Sequence, residues 1–332
     1  MDKNIAVIGC GYWGKNLVRN FAELGALHTI CDSSPEALSK VGALYPNVKK
    51  EPNIDAILDN QEIKGVVIAL PAALHYPTAK KALLADKDVF VEKPLTSKSS
   101  EAGELVELAE KRKRILMVGH LMLYHPAVHI LKRHIQSGDL GEIYYLYSTR
   151  VNLGQVRSDE SALWRLAPHD ISLFLHLLDA VPEVVSARGI SYVQPHLEDV
   201  VFVILQFPPR VLAHIHASWL DPHKIRQLTV VGSKKMAIFD DMDPQNKLRI
   251  YDQGVIDDYD KLASPSGTLA LRSEGVFLPR VNPAEPLSLE CRHFLECIKN
   301  RAKPVSDGKQ GLEVVRILEQ TEKAMKDRPP KS

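Results

Sequence analysis

An imbalance of charge is missing from this sequence: 42 Lys and Arg stand against 41 Asp and Glu, a formal charge of +1, so no basic excess points to nucleic acid. Hydrophobic residues at 45% exclude a disordered composition. Cysteine is scarce. Cys10, Cys31, Cys291 and Cys297 lack C-x-x-C spacing, which excludes a metal cage and a disulfide framework and fits reduced thiols in cytoplasm. No apolar run approaches the roughly 18 residues of a membrane span. The N-terminus runs almost directly into an apolar strand, without the charged segment, long apolar stretch and cleavage site of a leader. A cytoplasmic protein with a small-molecule partner, and with neither membrane nor nucleic acid, is expected. Repeats are absent as well, and 332 residues exceed one ordinary domain, so two domains sharing a cleft are anticipated.

What is present begins at residue 5. Ile5, Ala6, Val7 and Ile8 read as a buried parallel strand, and 13–24 shows helical apolar spacing at Leu17, Val18, Phe21 and Leu24. Between them Gly9, Cys10, Gly11, Tyr12, Trp13 and Gly14 spell G-x-G-x-x-G. In that context the first glycine permits a tight turn, the second lets backbone approach a pyrophosphate, and the third lets helix and strand pack; the helix start attracts phosphate charge. A second strand, 27–31, ends in Asp32, 23 positions after Gly9, near the offset at which an acid takes the adenine-ribose hydroxyls. Ser33, Ser34 and Pro35 follow, with no arginine for a 2′-phosphate, so NAD is favoured over NADP.

The alternation continues with helices at 35–45, 77–85 and 99–113 and strands at 65–69, 88–91 and 115–118. This predicts an α/β domain with a doubly wound parallel sheet over 1–120, its ligand at the carboxyl ends of the strands. Beyond His120 strands follow one another at 143–151, 184–193, 200–207, 211–219, 226–231 and 236–240, the pattern of an open, mainly antiparallel sheet in a second α/β domain, 121–332. Helices are expected there at 126–137, 168–179, 287–299 and 308–326, with a long loop over 253–286.

Two clusters carry chemistry. Glu92, Lys93 and Pro94 close a buried strand of the first domain, beside where a nicotinamide would lie. An amine there can orient a substrate hydroxyl and exchange a proton; the alternative is a surface lysine at a strand end. Trp164, Arg165, Leu166, Ala167, Pro168, His169 and Asp170 run into the 168–179 helix. At a helix start His169 would be kept neutral by the dipole and could accept an alcohol proton, or could simply be a hydrogen bonder; Asp170 could oppose the dipole. His214 and His216 share a strand face without an acidic partner nearby, so no metal is expected and an interface or packing role is. The basic run 111–114 reads as solvated charge at a helix C-terminus.

With Tyr124, His125 and Pro126 added, these motifs together resemble the Gfo/Idh/MocA oxidoreductases over nearly the whole chain. The resemblance implies an N-terminal Rossmann domain and a C-terminal domain whose open sheet mediates homodimers or homotetramers. It implies NAD as cofactor, held by Gly9, Gly11, Tyr12, Trp13, Gly14, Asp32, Leu70, Pro71, His75, Glu92 and Lys93. It implies Lys93 and His169 as catalytic residues. One departure stands out: where the family commonly has aspartate four residues before that histidine, this chain has Arg165. A guanidinium suits bidentate pairing with a carboxylate, so an acidic sugar is expected. Segments 152–157 and 218–224 resemble a nucleotide-sugar branch, notably UDP-N-acetylglucosaminuronate 3-dehydrogenases. Substrate contacts are accordingly expected from Tyr124, Arg157, Trp164, Arg165, Asp170 and Lys224, although Arg157, Lys224 and Arg226 also read as solvated loop charge. The expected reaction is oxidation of a secondary sugar hydroxyl, C3 of a UDP-linked N-acetylated uronic acid. The alternatives are ketosugar reduction, inositol or polyol oxidation, and a non-catalytic NAD-binding sensor.

Overall fold

The computed structural model describes residues 3–154, 158–255 and 271–326. It opens with β1 (Ile5–Ile8), α1 (Gly14–Glu23), β2 (Leu27–Cys31), α2 (Pro35–Gly42), β3 (Lys49–Glu51), α3 (Ile54–Asp59), β4 (Gly65–Ile68), α4 (His75–Leu84), β5 (Asp88–Glu92), α5 (Ser99–Arg112) and β6 (Leu116–Gly119). There follow α6 (Pro126–Gln136), β7 (Ile143–Val151), α7 (Ala162–Leu178), β8 (Val184–Ile190), β9 (Val200–Phe207), β10 (Val211–Ser218), β11 (Ile225–Gly232), β12 (Met236–Asp240), β13 (Leu248–Val255), β14 (Leu271–Phe277), α8 (Pro286–Asn300) and α9 (Gly308–Lys326). Among the described residues no helix is long and apolar enough to cross a membrane.

Two compact units result, 1–124 with 284–319 and 125–283 with the chain from 320 onward. Segment 284–319, placed by its sequence position in the later domain, thus belongs to the first unit. Phe294 on α8 explains why: its ring packs edge-on against Phe21 and Phe90, with centroids 6.4 and 5.6 Å apart. Arg301 after α8 then grips the Asp88 carboxylate at the start of β5 with two N–H groups, at 2.7 and 3.0 Å.

In the first unit six parallel strands run in the order β3-β2-β1-β4-β5-β6, the doubly wound arrangement whose switch point lies between β1 and β4. Helices cover both faces of such a sheet, and Val89, Phe90 and Val91 of β5 are accordingly buried in an unbroken apolar run. Short β3 and α3 were not legible in the sequence. α2 starts where Ser34 accepts a hydrogen bond from the Ala37 amide, with Pro35 at its first position.

The second unit is built on an eight-stranded sheet ordered β14-β13-β12-β11-β7-β10-β9-β8, antiparallel except for the β7–β10 pair. One face is closed by α7: Val201, Val203, Leu205 and Phe207 of β9 point inward while Phe202 and Ile204 between them are exposed. Part of the span expected as a long loop is strand β14, paired antiparallel with β13; residues 256–270 lie outside the described set.

A buried ion pair pins α7 to this sheet. Arg150 of β7 donates from Nε and Nη2 to the two Asp170 carboxylate oxygens at 2.8 and 3.1 Å, both side chains being nearly inaccessible. Asp170, expected from the sequence to oppose a helix start or to contact substrate, instead lies in the helix interior with both carboxylate oxygens engaged by Arg150. Removing one partner leaves a buried charge uncompensated, so Asp170→Asn should cost about 3–5 kcal/mol of stability. Urea denaturation should show this as a lowered midpoint; a loss below about 1 kcal/mol would contradict a structural role for the pair.

Candidate active site

Register places the chemistry of the first unit. Ile8 stands opposite Cys31 and Ile68, Ile68 opposite Val91, and Glu92 opposite Gly119. The residues that follow, Gly9, Asp32, Ala69, Lys93 and His120, therefore leave the sheet along one carboxyl edge.

The glycine turn occupies the middle of that edge. Gly9 has φ +98°, and a Cβ there would lie 2.4 Å from the Ala69 carbonyl oxygen; a Cβ on Gly14 would lie 1.9 Å from the Gly9 oxygen. Both positions need glycine for close packing. Gly11 differs, since a Cβ there meets nothing within 4 Å, so its backbone faces open space at the start of α1. Such a cradle fits a pyrophosphate. Asp32 braces it: one carboxylate oxygen accepts the Cys10 amide at 2.7 Å and the other accepts the Ser34 amide at 2.9 Å. Two hydrogen bonds leave lone pairs of the carboxylate for ribose hydroxyls. Tyr12 is exposed, with Lys15 Nζ 5.4 Å from its ring centroid.

Trp13 reaches out of the turn, and its indole N–H donates to Glu92 Oε1 at 2.6 Å. Glu92 Oε2 accepts the Lys93 amide at 3.3 Å. Burial pushes the Glu92 carboxyl up to about 7, against the Trp13 bond and the Lys93 charge, which favour its ionised form. Lys93 is half-buried, and its bond to Pro94 is cis. His75 underlies the loop: its Nδ1 and Nε2 lie 2.7 and 2.8 Å from the carbonyl oxygens of Pro94 and Leu70. Burial pushes this ring below its ordinary value, opposed by the two carbonyls. His75 therefore ties the β4 and β5 loops together, while half-buried Leu70 and exposed Pro71 form the β4 loop itself.

Two buried groups of this unit belong to no motif legible in the sequence. His120 is 1% exposed, neither ring nitrogen has a hydrogen-bond partner among the described residues, and burial together with the Lys93 charge holds it down to about 3. Glu290 on α8 has no exposed surface and no hydrogen-bond partner for either carboxyl oxygen among the described residues. Tyr124, expected at the substrate, is instead buried, its hydroxyl 2.9 Å from Ser306 Oγ. It contributes packing.

The second-unit candidates gather on α7, which begins at Ala162 and carries Pro168 in its interior. The helix start that the sequence predicts at Pro168 lies instead at Ala162, so His169 is not at the positive end of the helix dipole. His169 is half-buried in the helix middle. Trp164 donates its indole N–H to Glu322 Oε1 at 2.7 Å, and exposed Arg165 donates to Glu160 at 3.1 Å. Lys224 is exposed between β10 and β11, and Arg157 lies outside the described residues. Among the described residues no cluster of His, Cys, Asp and Glu could hold a metal ion. His214 and His216 stack on Phe202, with centroids 6.0 and 4.4 Å apart.

Comparison with known proteins bears on this arrangement. Residues 3–120 match a family described as an oxidoreductase family with NAD-binding Rossmann fold, and 128–238 match the Gfo/Idh/MocA C-terminal domain. The chain is 28% identical over 310 residues to a UDP-N-acetylglucosamine 3-dehydrogenase of Acidithiobacillus ferrooxidans, covering 93% of each. It is 28% identical over 227 residues to inositol 2-dehydrogenase 2 of Saccharopolyspora erythraea, covering 65% of this chain and 66% of that one. A solved structure of the Acidithiobacillus ferrooxidans dehydrogenase superposes with TM-score 0.82 at 25% identity over 97% of both chains. The chain belongs to the Gfo/Idh/MocA oxidoreductase family, and its N-terminal domain is an NAD-binding Rossmann domain.

Proposed function

We propose that the protein oxidises the C3 hydroxyl of a UDP-linked N-acetylated sugar, with Lys93 handling the hydroxyl proton. The observation that carries this reading is the common sheet edge of Gly11, Asp32 and Lys93, with Trp13 hydrogen-bonded to Glu92 across it. The amides around Gly11 would hold the pyrophosphate and Asp32 the adenine ribose. Bound NAD supplies the hydride acceptor. Lys93 then orients the hydroxyl and takes its proton.

The near full-length likeness to a UDP-N-acetylglucosamine 3-dehydrogenase supports the nucleotide-sugar class. A uronic acid loses its motivation, because Arg165, the group chosen to meet its carboxylate, bonds Glu160. The exposed sheet face carrying Tyr145, Tyr147, Phe202, Ile204 and Leu212 supports a homo-oligomer closed by this face.

Lys93→Met should lower turnover about 10³-fold while NAD affinity by calorimetry stays within about twofold. Undiminished turnover with UDP-N-acetylglucosamine, or activity with free inositol alone, would overturn the assignment. Asp32→Ala should weaken NAD about tenfold or more and NADP less, since a charged acceptor is removed from the ribose; equal losses would contradict its role. Phe202→Glu should shift the sedimentation coefficient toward a monomer without changing NAD binding, whereas an unchanged coefficient would remove the sheet face from the interface.

A further inference from the structure

Phe294 of α8 packs on Phe90 of β5, and Glu290, four residues before Phe294 on the helix, and Glu92, two residues after Phe90 on the strand, are thereby brought together as a pair of acids that the assigned reaction does not yet use. Glu290 reaches the first unit on α8, which packs against α1 and the 121–124 turn. No donor among the described residues meets its oxygens, and a buried carboxylate without donors is far costlier than a buried carboxylic acid. Burial, and then the charge of Glu92, raise Glu290 well above its ordinary value, so it is the member that keeps a proton. Glu92 has what Glu290 lacks: the Trp13 indole N–H, the Lys93 amide and the Lys93 charge all favour its anion.

The space is shaped for this carboxyl. Gly119 on the neighbouring strand stands directly opposite, and a Cβ there would lie 2.9 Å from Glu92 Oε2. The titratable groups facing the pair are Lys93 beside Glu92, and Cys291 and Tyr124 beside Glu290; His120 faces Lys93.

Resting on the reading of Lys93 given above, we propose that Glu92 and Glu290 are a buried carboxyl pair that stores an exchangeable proton for Lys93. Before oxidation Glu92 Oε2 takes one proton from the Lys93 ammonium and leaves a neutral amine; the substrate O–H bond then breaks and its proton bonds to that amine, while the C–H electron pair leaves with the hydride accepted by NAD. Glu92 later releases the proton to water. Glu290 keeps its own proton throughout and acts as a positioning residue, lining Glu92 with a neutral group.

Infrared absorption of un-ionised carboxyl groups in the full-length protein tests this between about pH 5 and pH 8, without any need for substrate. The wild type should show one such group titrating near 7 and another persisting to about pH 8. Glu92→Gln should remove the titrating band and Glu290→Gln the persistent one. Trp13→Phe, which keeps an aromatic ring but loses the donor, should raise the midpoint by about half to one pH unit. A Glu290→Gln spectrum identical to wild type, or no un-ionised carboxyl above pH 6 or so, would overturn the pair. In turnover, Glu92→Gln should lower kcat about 10- to 100-fold with KM little changed and flatten the neutral limb of the pH profile. Loss of turnover in Lys93→Met without the carboxyl bands would overturn the store and leave the lysine assignment standing. Bands present alongside a fully active Lys93→Met would overturn both the lysine assignment and its use of the store.

Discussion

Parallel strands that end in register are the constraint on which the first unit depends. Because β1, β4, β5 and β6 pair residue for residue, the glycine turn, the β4 loop, Lys93 and His120 have no freedom to stand elsewhere than on one edge. Hydrogen bonds then fix the loops that the register brings together. Asp32 holds the turn by the Cys10 amide, His75 joins the Leu70 and Pro94 carbonyls, and Trp13 joins the turn to Glu92. The glycine turn and the β5 loop that carries Lys93 are thereby parts of one hydrogen-bonded frame, which fixes their orientation relative to each other.

The second unit obeys a different logic. Among the described residues of that unit its sheet is covered on one side only, so strand alternation separates an inner row such as Val201, Val203 and Leu205 from an outer row such as Phe202 and Ile204. The inner row anchors α7, and the Arg150–Asp170 pair fixes that helix against β7. The outer row leaves His214 and His216 lying on Phe202, an aromatic surface without metal-ligand geometry.

Local signals were legible in the sequence, and long-range burial was not. The strand, turn and helix around Gly9 declare themselves within a few residues, as does the apolar run of β5 that ends at Lys93. Pro168 misled because proline favours a first helical turn, whereas here the packing of α7 on the sheet sustains a helix through it. β14 was hidden by a stretch whose polar and proline-rich composition resembles a loop. Tyr124 followed its motif to the wrong surroundings, since only the return of 284–319 into the first unit shows that Ser306 covers it. The same return buries Glu290, almost 200 positions from Glu92, and no spacing rule links such a pair.

The shared edge is tested most directly by a crystal structure with NAD bound. The expected result has the pyrophosphate over Gly11, the adenine ribose on the Asp32 carboxylate and the nicotinamide ring alongside Lys93. A nicotinamide ring bound away from Lys93, with the Trp13–Glu92 hydrogen bond broken, would contradict it.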